Sequence, residues 1–499
     1  MLRRNLLQLL GGLSVGALSG PLLARSIASG TSDVLAETAR RFAAARKNHA
    51  FLAGWESVAP GGTAKVSATL SGRWPKALRG TLLRNGPGLF ERDGQRYQHW
   101  FDGDGLIQSW TISATGITHQ SKFVQTSKFA RENRSGKFEV MAAGTTIPNA
   151  HAASGPDDAN TANTSVMQIG GKTYALWEAG SAYEIDPETL KTIGAKVWRD
   201  DLEGAAFSAH PLFEKDGSSW NFGLFDSKMI VYQIGGDGAL KQAQLLELPH
   251  GGYMHSFCAS ESKLVFVIAP LLTVRDAGSF FEGLGWKPEL GSLMVVVPKS
   301  DLSQARFAEF QSGAAYHYAD AWDEADGSLG LRACWYHAGT GFASPFGEYV
   351  QGYTHQGAPD GSDLVEIRLA PGAKRAQLHK LGISRVEFPM PTRLMQKSAN
   401  IYLQGHANHP NGALSGLLSL DNSGAKLGHF DFGDDFVLEE QLYLRAEGKR
   451  YTLGTIFNAK KARTGLVLMD LDRLADGPVA QAWLERAMPL GFHGTFLSR

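Results

Sequence analysis

LRGTLLRNGPGLFERDGQRYQHWFDGDGLIQSW, residues 78–110, sets two short strand-like runs on either side of a turn-rich centre. The first run, GTLLRNG, covers residues 80–86, and the second begins at Gly105 with GLIQSW. The centre is rich in glycine and aspartate, which favour tight turns. Short apolar runs bounded by such clusters are typical of β-strands. The stretch therefore predicts β-structure with close turns.

The same texture continues from about Val66 to the C-terminus. Strand-like runs alternate with clusters such as GGDG (residues 235–238) and DNSG (421–424). Roughly 430 residues of this texture exceed one sandwich, whereas about seven propeller blades of about 60 residues each would use them. We therefore predict an all-β fold, a seven-bladed β-propeller forming one domain over residues 59–499. Longer insertions such as residues 271–291 are predicted to form, with helical segments, a cap over one face.

The composition is that of an ordinary globular protein. The chain has 499 residues, with 49 basic and 49 acidic side chains, so its formal net charge is zero. Because it has no basic run and no excess of positive charge, nucleic acid is excluded as a partner. Cys258 and Cys334 lie in apolar, strand-like stretches, which predicts two buried thiols. The alternative is a disulfide between them, which would require their strands to be adjacent.

The first 30 residues have the pattern of a signal peptide. Arg3 and Arg4 precede an apolar segment with small residues, as in a twin-arginine signal. This predicts export of a folded protein to the periplasm, where it would be soluble or peripheral to a membrane. The alternative is an N-terminal membrane anchor, for which the apolar stretch is short. Residues 31–58 are predicted to be helical, with Ser32 or Asp33 as the N-terminal cap.

Fifteen histidines are scattered along the chain. Four of them stand in apolar or glycine-rich segments of the strand-end type: His210, His255, His317 and His493. Their separations of 45, 62 and 176 residues exclude a local motif such as HExxH or a zinc finger. This spacing fits separate blades that each contribute one inward ligand, although four separately buried, hydrogen-bonded histidines would fit as well. Three others stand in polar or loop-like contexts: His49, His119 and His151.

Residues 78–110 resemble the N-terminal signature of the carotenoid cleavage oxygenase family, the family of retinal pigment epithelial membrane protein. In that signature an RNGP segment precedes HWFDGDG. The resemblance includes the four histidine contexts and continues through NTANTSVMQIGGKTYALWEAGSAYEIDPETL (160–190), VEFPMPTR (386–393) and GFHGTF (491–496). It runs from about residue 60 to the C-terminus. Within the family, RNGP to DGDG and NTANTSV are most similar to bacterial apocarotenoid oxygenases.

The resemblance implies a metal site on the propeller axis. It implies one Fe(II) per chain, with O2 as co-substrate. The implied ligands are His210, His255, His317 and His493. Neutral imidazoles suit first-row transition metals, and four of them leave two positions of an octahedral iron for dioxygen or substrate.

Three glutamates are implied to support these ligands. By motif they are Glu178, Glu387 and Glu440, with Glu439 as the alternative to Glu440 because the proline that usually follows is missing. Glu178 and Glu387 lie in apolar runs, where an unpaired carboxylate would be costly. Such carboxylates can fix an imidazole by accepting its second N–H. Asp320 departs from the family pattern, in which an asparagine is common.

The activity implied by the resemblance is oxidative cleavage of a conjugated C=C bond of a carotenoid or apocarotenoid by a dioxygenase, giving aldehydes. No organic cofactor is predicted. Two alternatives stay open. Relatives in the same family cleave lignin-derived stilbenes at the central double bond and engage a 4-hydroxyl group with a Tyr/Lys pair, for which Tyr97 and Lys128 are candidates. A propeller that serves as a scaffold would be expected to lack at least one ligand, whereas all four histidines are present.

A polyene or stilbene must leave a membrane or a carrier, so an apolar patch is expected near the tunnel mouth. One candidate is a loop that contains Leu271, Leu272, Phe280, Phe281 and Trp286. The other is the N-terminal segment with Phe51, Leu52 and Trp55. Either patch would allow peripheral membrane contact, and either could equally be packed against the propeller. The protein is predicted to be a monomer.

Two short motifs have predicted structural roles. HWFDGDG (99–105) lacks the closing glutamate of a calcium loop and is interpreted as a tight turn. PLGFHGTFLSR (489–499) is predicted to be the strand that brings His493 to the axis, where Gly491 and Gly494 would let the backbone run close to the metal. Removal of the last seven residues should therefore abolish iron binding.

Overall fold

The computed structural model describes residues 21–151, 153–274, 277–338, 347–354, 361–397, 400–405 and 413–499. Within these ranges, seven antiparallel sheets of four or five strands succeed one another along the chain.

We number the strands β1–β34 in chain order and the sheets as blades I–VII, each given from its innermost to its outermost strand. Blade I contains β34 (Gly494–Ser498), β3 (Gly80–Leu89), β6 (Asp104–Ser113), β7 (Gly116–Phe123) and β1 (Thr63–Ser67). Blade II contains β8 (Ser165–Ile169), β9 (Lys172–Leu176), β10 (Tyr183–Ile185) and β11 (Thr192–Ala195). Blade III contains β12 (Leu212–Phe213), β13 (Ser219–Phe225), β14 (Lys228–Ile234) and β15 (Leu240–Glu247).

The remaining blades follow the same plan. Blade IV contains β16 (Cys258–Ala259), β17 (Lys263–Ile268), β20 (Ser292–Pro298) and β21 (Arg306–Phe310). Blade V contains β22 (Ala314–Asp323), β23 (Leu329–Tyr336), β24 (Asp363–Leu369) and β25 (Gln377–Ser384). Blade VI contains β26 (Val386–Pro391), β27 (Asn400–Gly405), β28 (Gly416–Asp421) and β29 (Lys426–Asp431). Blade VII contains β30 (Phe436–Ala446), β31 (Lys449–Asn458), β32 (Arg463–Asp470), β33 (Pro478–Trp483) and β2 (Thr69–Gly72). Innermost strands of neighbouring sheets contact each other, as β34 does with β8 and β30, and β22 with β16 and β26. The predicted seven-bladed propeller is therefore confirmed.

Short elements decorate the propeller. Two hairpins pair β4 (Glu91–Arg92) with β5 (Gln95–Arg96) and β18 (Leu271–Thr273) with β19 (Leu284–Trp286). The α-helices are α1 (Pro21–Arg46), α2 (Ser127–Ser135) and α3 (Phe280–Gly283). The 3-10 turns are Ala50–Trp55, Trp100–Asp102, Pro156–Asp158, Asp200–Leu202, Pro288–Leu290 and Leu474–Asp476.

Strands from both ends of the chain close the ring. β2, near the N-terminus, pairs with β33 as the outermost strand of blade VII. β34, near the C-terminus, pairs with β3 as the innermost strand of blade I, with Leu82 opposite Phe496. Each terminal strand thus completes a blade that is otherwise built from the opposite end of the chain. This exchange of strands holds the first and last blades together and closes the ring.

Blades pack face to face through apolar layers, and β3 shows how its sequence produces this. Successive side chains of a strand point to opposite faces. Leu82 packs in the layer shared with blade VII, beside Leu453, while Leu83 packs in the layer shared with blade II, beside Val166. All ten residues of β3 are buried. Each buried leucine contributes roughly 1.5–3 kcal/mol relative to an exposed one, so this strand anchors two blade contacts.

The N-terminal segment differs from the prediction in its helix start. α1 begins at Pro21, so the predicted caps Ser32 and Asp33 lie inside the helix and the predicted cap is wrong. The predicted signal peptide, residues 1–30, lies partly outside the described residues, and its boundary falls within α1.

The apolar surface candidates divide between core and surface. Phe51, Leu52 and Trp55 are buried, so the prediction that they form a membrane-facing patch is wrong. They pack in one apolar cluster that also receives Phe457 from blade VII. In the insertion of residues 271–291, the hairpin of β18 and β19 buries Leu271, with Leu272, Phe281 and Trp286 partly buried, whereas Phe280 on α3 is 48% exposed.

Both cysteines are buried in the fold. Cys258 and Cys334 are buried free thiols, as predicted. Burial, together with the nearby Asp320 carboxylate, raises the pKa of Cys258 well above its usual value. Across the described ranges, none of the helices combines the length and the apolar character needed to cross a membrane.

His119 differs from its prediction as a polar or loop residue. It lies in β7, is fully buried and packs edge-on against Trp110 at a ring-centroid distance of 4.7 Å. Neither ring nitrogen has a hydrogen-bond partner in the described residues. Burial, with a smaller contribution from the Arg486 cation, lowers the pKa of His119 to about 3.

His119 should make the fold acid-sensitive. Its folded pKa lies below its unfolded value, so its contribution to stability is complete above about pH 6.5 and is lost as the pH falls towards 3. Between pH 7 and pH 5 this costs about 2 kcal/mol. In urea unfolding, His119→Leu should remove about that much of the difference between the two pH values. His151→Leu, at an exposed histidine, is the control, and equal pH dependence in all three proteins would contradict the prediction.

Candidate metal centre

The propeller brings the four predicted histidines together at its centre. His210 lies directly before Pro211 and β12, His255 shortly before β16, His317 within β22, and His493 directly before β34. These are the innermost strands of blades III, IV, V and I. Four ring nitrogens, one from each histidine, lie within 4.8 Å of one another. Residues up to 283 positions apart thus form one cluster.

The chemistry of the cluster fits a metal cation. His493 Nε2 lies 3.0 Å from His210 Nε2 and 3.4 Å from His317 Nε2. Burial, together with the neighbouring histidines, lowers the pKa of His210, His255 and His493 well below its usual value. The rings are therefore neutral, and converging lone pairs of neutral imidazoles repel one another unless a cation lies between them. A four-imidazole set of this kind suits a first-row transition metal.

Each of the three predicted glutamates contacts one histidine. Glu387 Oε2 accepts from His317 Nδ1 at 2.8 Å. Glu440 Oε1 accepts from His493 Nδ1 at 2.9 Å. Glu178 Oε1 lies against His255 Nδ1. A proton held on Nδ1 by the carboxylate leaves the Nε2 lone pair directed at the centre, which is the tautomer a metal ligand needs.

Geometry distinguishes Glu440 from Glu439. Glu439 Oε1 accepts from the Gly491 N–H at 2.5 Å and from Arg84 Nη2 at 3.3 Å, so its partners are the backbone before His493 and a cation. Glu440 contacts the His493 ring itself, and its Oε2 accepts from Gly494 N at 3.0 Å. Burial raises the pKa of Glu440, although the Arg84 cation opposes the shift. Glu440 is therefore the carboxylate that orients a ligand.

Sequence reasoning missed two polar residues that support the glutamates. Arg84 is 1% exposed and bridges Glu439 and Glu440. Tyr253 donates from its hydroxyl to Glu178 Oε2 at 3.1 Å. Burial raises the pKa of Glu178 to about 7. The signal for Arg84 is its place in the RNGP segment, where an arginine in an otherwise apolar strand needs a buried carboxylate.

Phe388 is a third residue that sequence reasoning missed. Its φ of 50° lies in the left-handed region, which is unusual for a bulky residue and marks local strain. Its N–H donates to Glu387 Oε2 at 3.2 Å. Its ring lies 4.7 Å from the His317 ring and 5.6 Å from the His493 ring. The strained backbone thus turns an apolar ring over two of the four histidines.

A cavity of about 450 Å³ leads to the cluster, and His255, His317 and His493 lie in its wall. The wall is rich in aromatic residues. Its aromatic residues are Phe51, Trp55, Trp100, Phe101, Trp177, Tyr253, Phe280, Phe281, Tyr316, Tyr336, Tyr349, Phe388 and Phe492. Among the large apolar residues of the wall, Met141 and Phe280 are exposed, at 39% and 48%, so they mark the opening. Several of these residues come from α3 and the 3-10 turns, which form the predicted cap.

Tyr97 and Lys128, the candidate pair, meet beside this cavity. Lys128 Nζ donates to Tyr97 OH at 2.8 Å, to Glu132 Oε2 at 2.9 Å and to Asp104 Oδ1 at 3.0 Å. Although burial disfavours its charge, Asp104, Tyr97 and Glu132 raise the pKa of Lys128 well above its usual value. Lys128 lines the cavity. All three protons of its ammonium group are engaged by partners within the protein.

The HWFDGDG segment forms the predicted turn. Trp100–Asp102 is a 3-10 turn whose first N–H groups are partly capped by His99 Nδ1. Asp102 accepts from Gly144 N at 2.8 Å and from Thr145 Oγ1 at 2.5 Å. Burial raises the pKa of Asp102 to about 6. The aspartates of this segment therefore serve protein donors.

Comparison with known proteins places this chain among relatives of the same architecture. The family model described as retinal pigment epithelial membrane protein matches residues 56–498. Apocarotenoid-15,15'-oxygenase of Synechocystis is 26% identical over 464 residues, covering 86% of this chain and 92% of that protein. Isoeugenol monooxygenase of Pseudomonas nitroreducens is 23% identical, covering 86% and 94%. The mitochondrial carotenoid-cleaving dioxygenase of Pongo abelii is 24% identical, covering 87% and 92%.

Solved structures show the same fold. Cobalt-substituted Synechocystis apocarotenoid oxygenase superposes with a TM-score of 0.78 at 23% identity, covering 90% of this chain and 98% of that chain. A chimera of that oxygenase with RPE65 superposes with a TM-score of 0.79 over the same shares.

The geometry predicts unequal effects of two neighbouring glutamates on metal affinity. His493→Ala should abolish stoichiometric binding of Fe(II) added anaerobically, because a ligand is lost. Glu440→Gln should weaken binding by about 10–100-fold, since outer carboxylates orient their ligands. Glu439→Gln is the matched control and should cost less than about tenfold. Competition with a chromophoric chelator measures all three affinities, and equal losses in the two glutamate variants would contradict the assignment.

Proposed function

This chain belongs to the retinal pigment epithelial membrane protein family, and we propose that it is a non-haem Fe(II) dioxygenase that cleaves a conjugated C=C bond of a carotenoid or apocarotenoid. The observation that carries the proposal is a cluster of four converging imidazoles, three of which lie in the wall of a cavity rich in aromatic residues. An apolar polyene matches such a wall, because aromatic side chains bury apolar surface without requiring polar partners.

His210, His255, His317 and His493 would hold one iron per chain. Bound Fe(II) supplies the activation of O2 that oxidation of an alkene requires. Glu178, Glu387 and Glu440 keep three of the rings in the tautomer that directs Nε2 to the centre. Fe(II) held by these four imidazoles would keep coordination positions free, which the activation of O2 needs.

The reaction balances without a protein acid or base. One C=C bond and one O2 molecule become two carbonyl groups, and each product carbonyl takes one oxygen atom. No proton enters or leaves, so the protein need only bind, orient and exclude water. Phe388 lies against the His317 ring and Phe492 lines the same cavity, so both would help to exclude water from the reacting alkene.

A phenolic alkene, such as a hydroxystilbene, is the second candidate substrate. The observation that favours it is the direct bond between Lys128 and Tyr97 at the cavity wall. A phenol oxygen could accept from Lys128 only if it replaced Asp104, Glu132 or Tyr97, because these three already engage the ammonium protons. The polyene needs no such exchange, and for that reason it is the first candidate.

Export and membrane contact complete the proposal. Arg3 and Arg4 support twin-arginine export to the periplasm, which cell fractionation of an Arg3→Lys/Arg4→Lys variant tests. All residues of the metal cluster come from one chain, so a monomer suffices for the reaction. Substrate would enter from a membrane or a carrier at the opening marked by Met141 and Phe280.

Product analysis distinguishes the substrates. Iron-loaded protein incubated with an apocarotenal under ¹⁸O2 should give two carbonyl products that each contain label. The same protein should leave a 4-hydroxystilbene uncleaved, and Tyr97→Phe should change apocarotenal turnover by less than about twofold, since that polyene makes no bond to the pair. Cleavage of the stilbene alone, with a large loss in Tyr97→Phe, would instead establish the phenolic alkene. His493→Ala is the inactive control.

Phe280 should contribute to membrane binding. It is exposed at the cavity opening, so Phe280→Ser should reduce co-sedimentation with phosphatidylcholine vesicles several-fold, by removing one aromatic side chain from the lipid contact. Phe225→Ser is the matched control, because Phe225 is 43% exposed on β13 and lies outside the cavity wall. Equal losses in both variants would contradict a specific role for the opening.

A further inference from the structure

The N-terminal arm, defined as α1 and the 3-10 turn up to Trp55, forms part of the cavity wall. Phe51 and Trp55 both line the cavity, yet they are 8% and 3% exposed. Met141 and Phe280, by contrast, are exposed lining residues at the opening. The arm therefore forms a buried part of the cavity wall, away from solvent.

An aromatic path connects the arm to the metal cluster. The Trp55 ring lies 4.8 Å from Tyr349 and 5.8 Å from Trp100. Trp100 lies 4.7 Å from Phe492, which directly precedes His493. Close packing of this kind transmits a displacement of one ring to the next. The position of the arm thus affects how much room a substrate has in the cavity.

Arg96 joins the arm to the propeller. Its side chain is fully buried, and its guanidinium carbon lies 3.4 Å from the ring centroid of Phe42 on α1. Its Nη2 donates to the Trp55 carbonyl at 2.5 Å, and its Nε donates to the Val350 carbonyl at 2.6 Å. Its remaining charge partner is Glu91. A single guanidinium thus contacts the helix of the arm, the turn of the arm and the segment that carries Tyr349.

These contacts need an arginine. The planar fork of a guanidinium serves two carbonyls in different directions and stacks on a ring at the same time, whereas a lysine ammonium is a point charge. Without the fork, the carbonyls of Trp55 and Val350 would be buried without this donor, which is unfavourable. The arm would then shift to reach other partners, and the wall formed by Phe51 and Trp55 would shift with it.

We propose that the N-terminal arm is a specificity element of the cavity and that Arg96 is the positioning residue that holds it. The arm would contact the apolar end of the bound substrate and so limit the length of chain that fits beyond the cleaved bond. This inference rests on the proposed function, since it assumes an elongated apolar alkene as the ligand.

Substrate-length selectivity tests the inference. For a long and a short apocarotenal, Trp55→Ala should raise the ratio of kcat/KM for long over short substrate by about tenfold, because it removes a wall. Arg96→Gln should raise the same ratio and increase KM by about tenfold, with kcat within about twofold, since the histidines are untouched. Arg96→Lys should fall between wild type and Arg96→Gln. Arg40→Gln is the matched control, because Arg40 lies on α1 but is exposed.

The outcomes separate this inference from the proposed function. Unchanged ratios and KM values in both Trp55→Ala and Arg96→Gln would overturn the inference while leaving alkene cleavage intact. If Arg96→Gln fails to fold, as judged by its melting temperature and metal content, Trp55→Ala and Phe51→Ala decide the question. If wild type cleaves neither aldehyde, calorimetric binding of both to metal-free protein decides it: a selectivity change in Trp55→Ala supports the arm, and identical affinities overturn it.

Discussion

The pairing of β34 with β3 is the contact on which the ring and the metal centre both depend. It places the last strand of the chain at the inside of blade I, and His493 precedes that strand directly. Glu440, from blade VII, then holds both the His493 ring and the Gly494 N–H. Closure of the propeller and completion of the histidine cluster are therefore one structural event. A defect in either would disturb the other.

The charge balance of the centre follows from burial. Imidazoles removed from water stay neutral, and carboxylates removed from water need donors or cations. Glu439 and Glu440 share the buried Arg84, while Glu178 receives the Tyr253 hydroxyl and Glu387 receives the Phe388 N–H. These glutamates surround the histidine cluster and would offset the charge of a cation bound there. In a cavity with apolar walls, that arrangement favours a bound metal over scattered protons.

The cap over the propeller contains apolar residues in two different environments, the buried cavity wall and the exposed opening. Phe51 and Trp55 are as apolar as Phe280, yet the first two are buried in the cavity wall and the third is exposed at its opening. An apolar side chain favours burial away from water, but the sequence does not show whether it is buried by the protein core, by a ligand or by lipid. For that reason the N-terminal residues could not be separated from the surface loop before the structure was known.

The sequence by itself determined the fold class, the seven-blade count and the four histidines, because turn clusters, strand periodicity and family motifs are local signals. Family motifs, supported by apolar surroundings, also pointed to Glu178 and Glu387. Only the tertiary structure decided between Glu439 and Glu440, showed Lys128 in contact with Tyr97, and revealed Arg84, Arg96 and Phe388. It also showed that Ser32 and Asp33 lie inside α1 and that His119 is buried. The side-chain contacts depend on which distant segments of the chain meet in the fold. A hydrogen bond or a buried ion pair needs both partners, and the sequence around one residue does not identify a partner that lies far away in the chain.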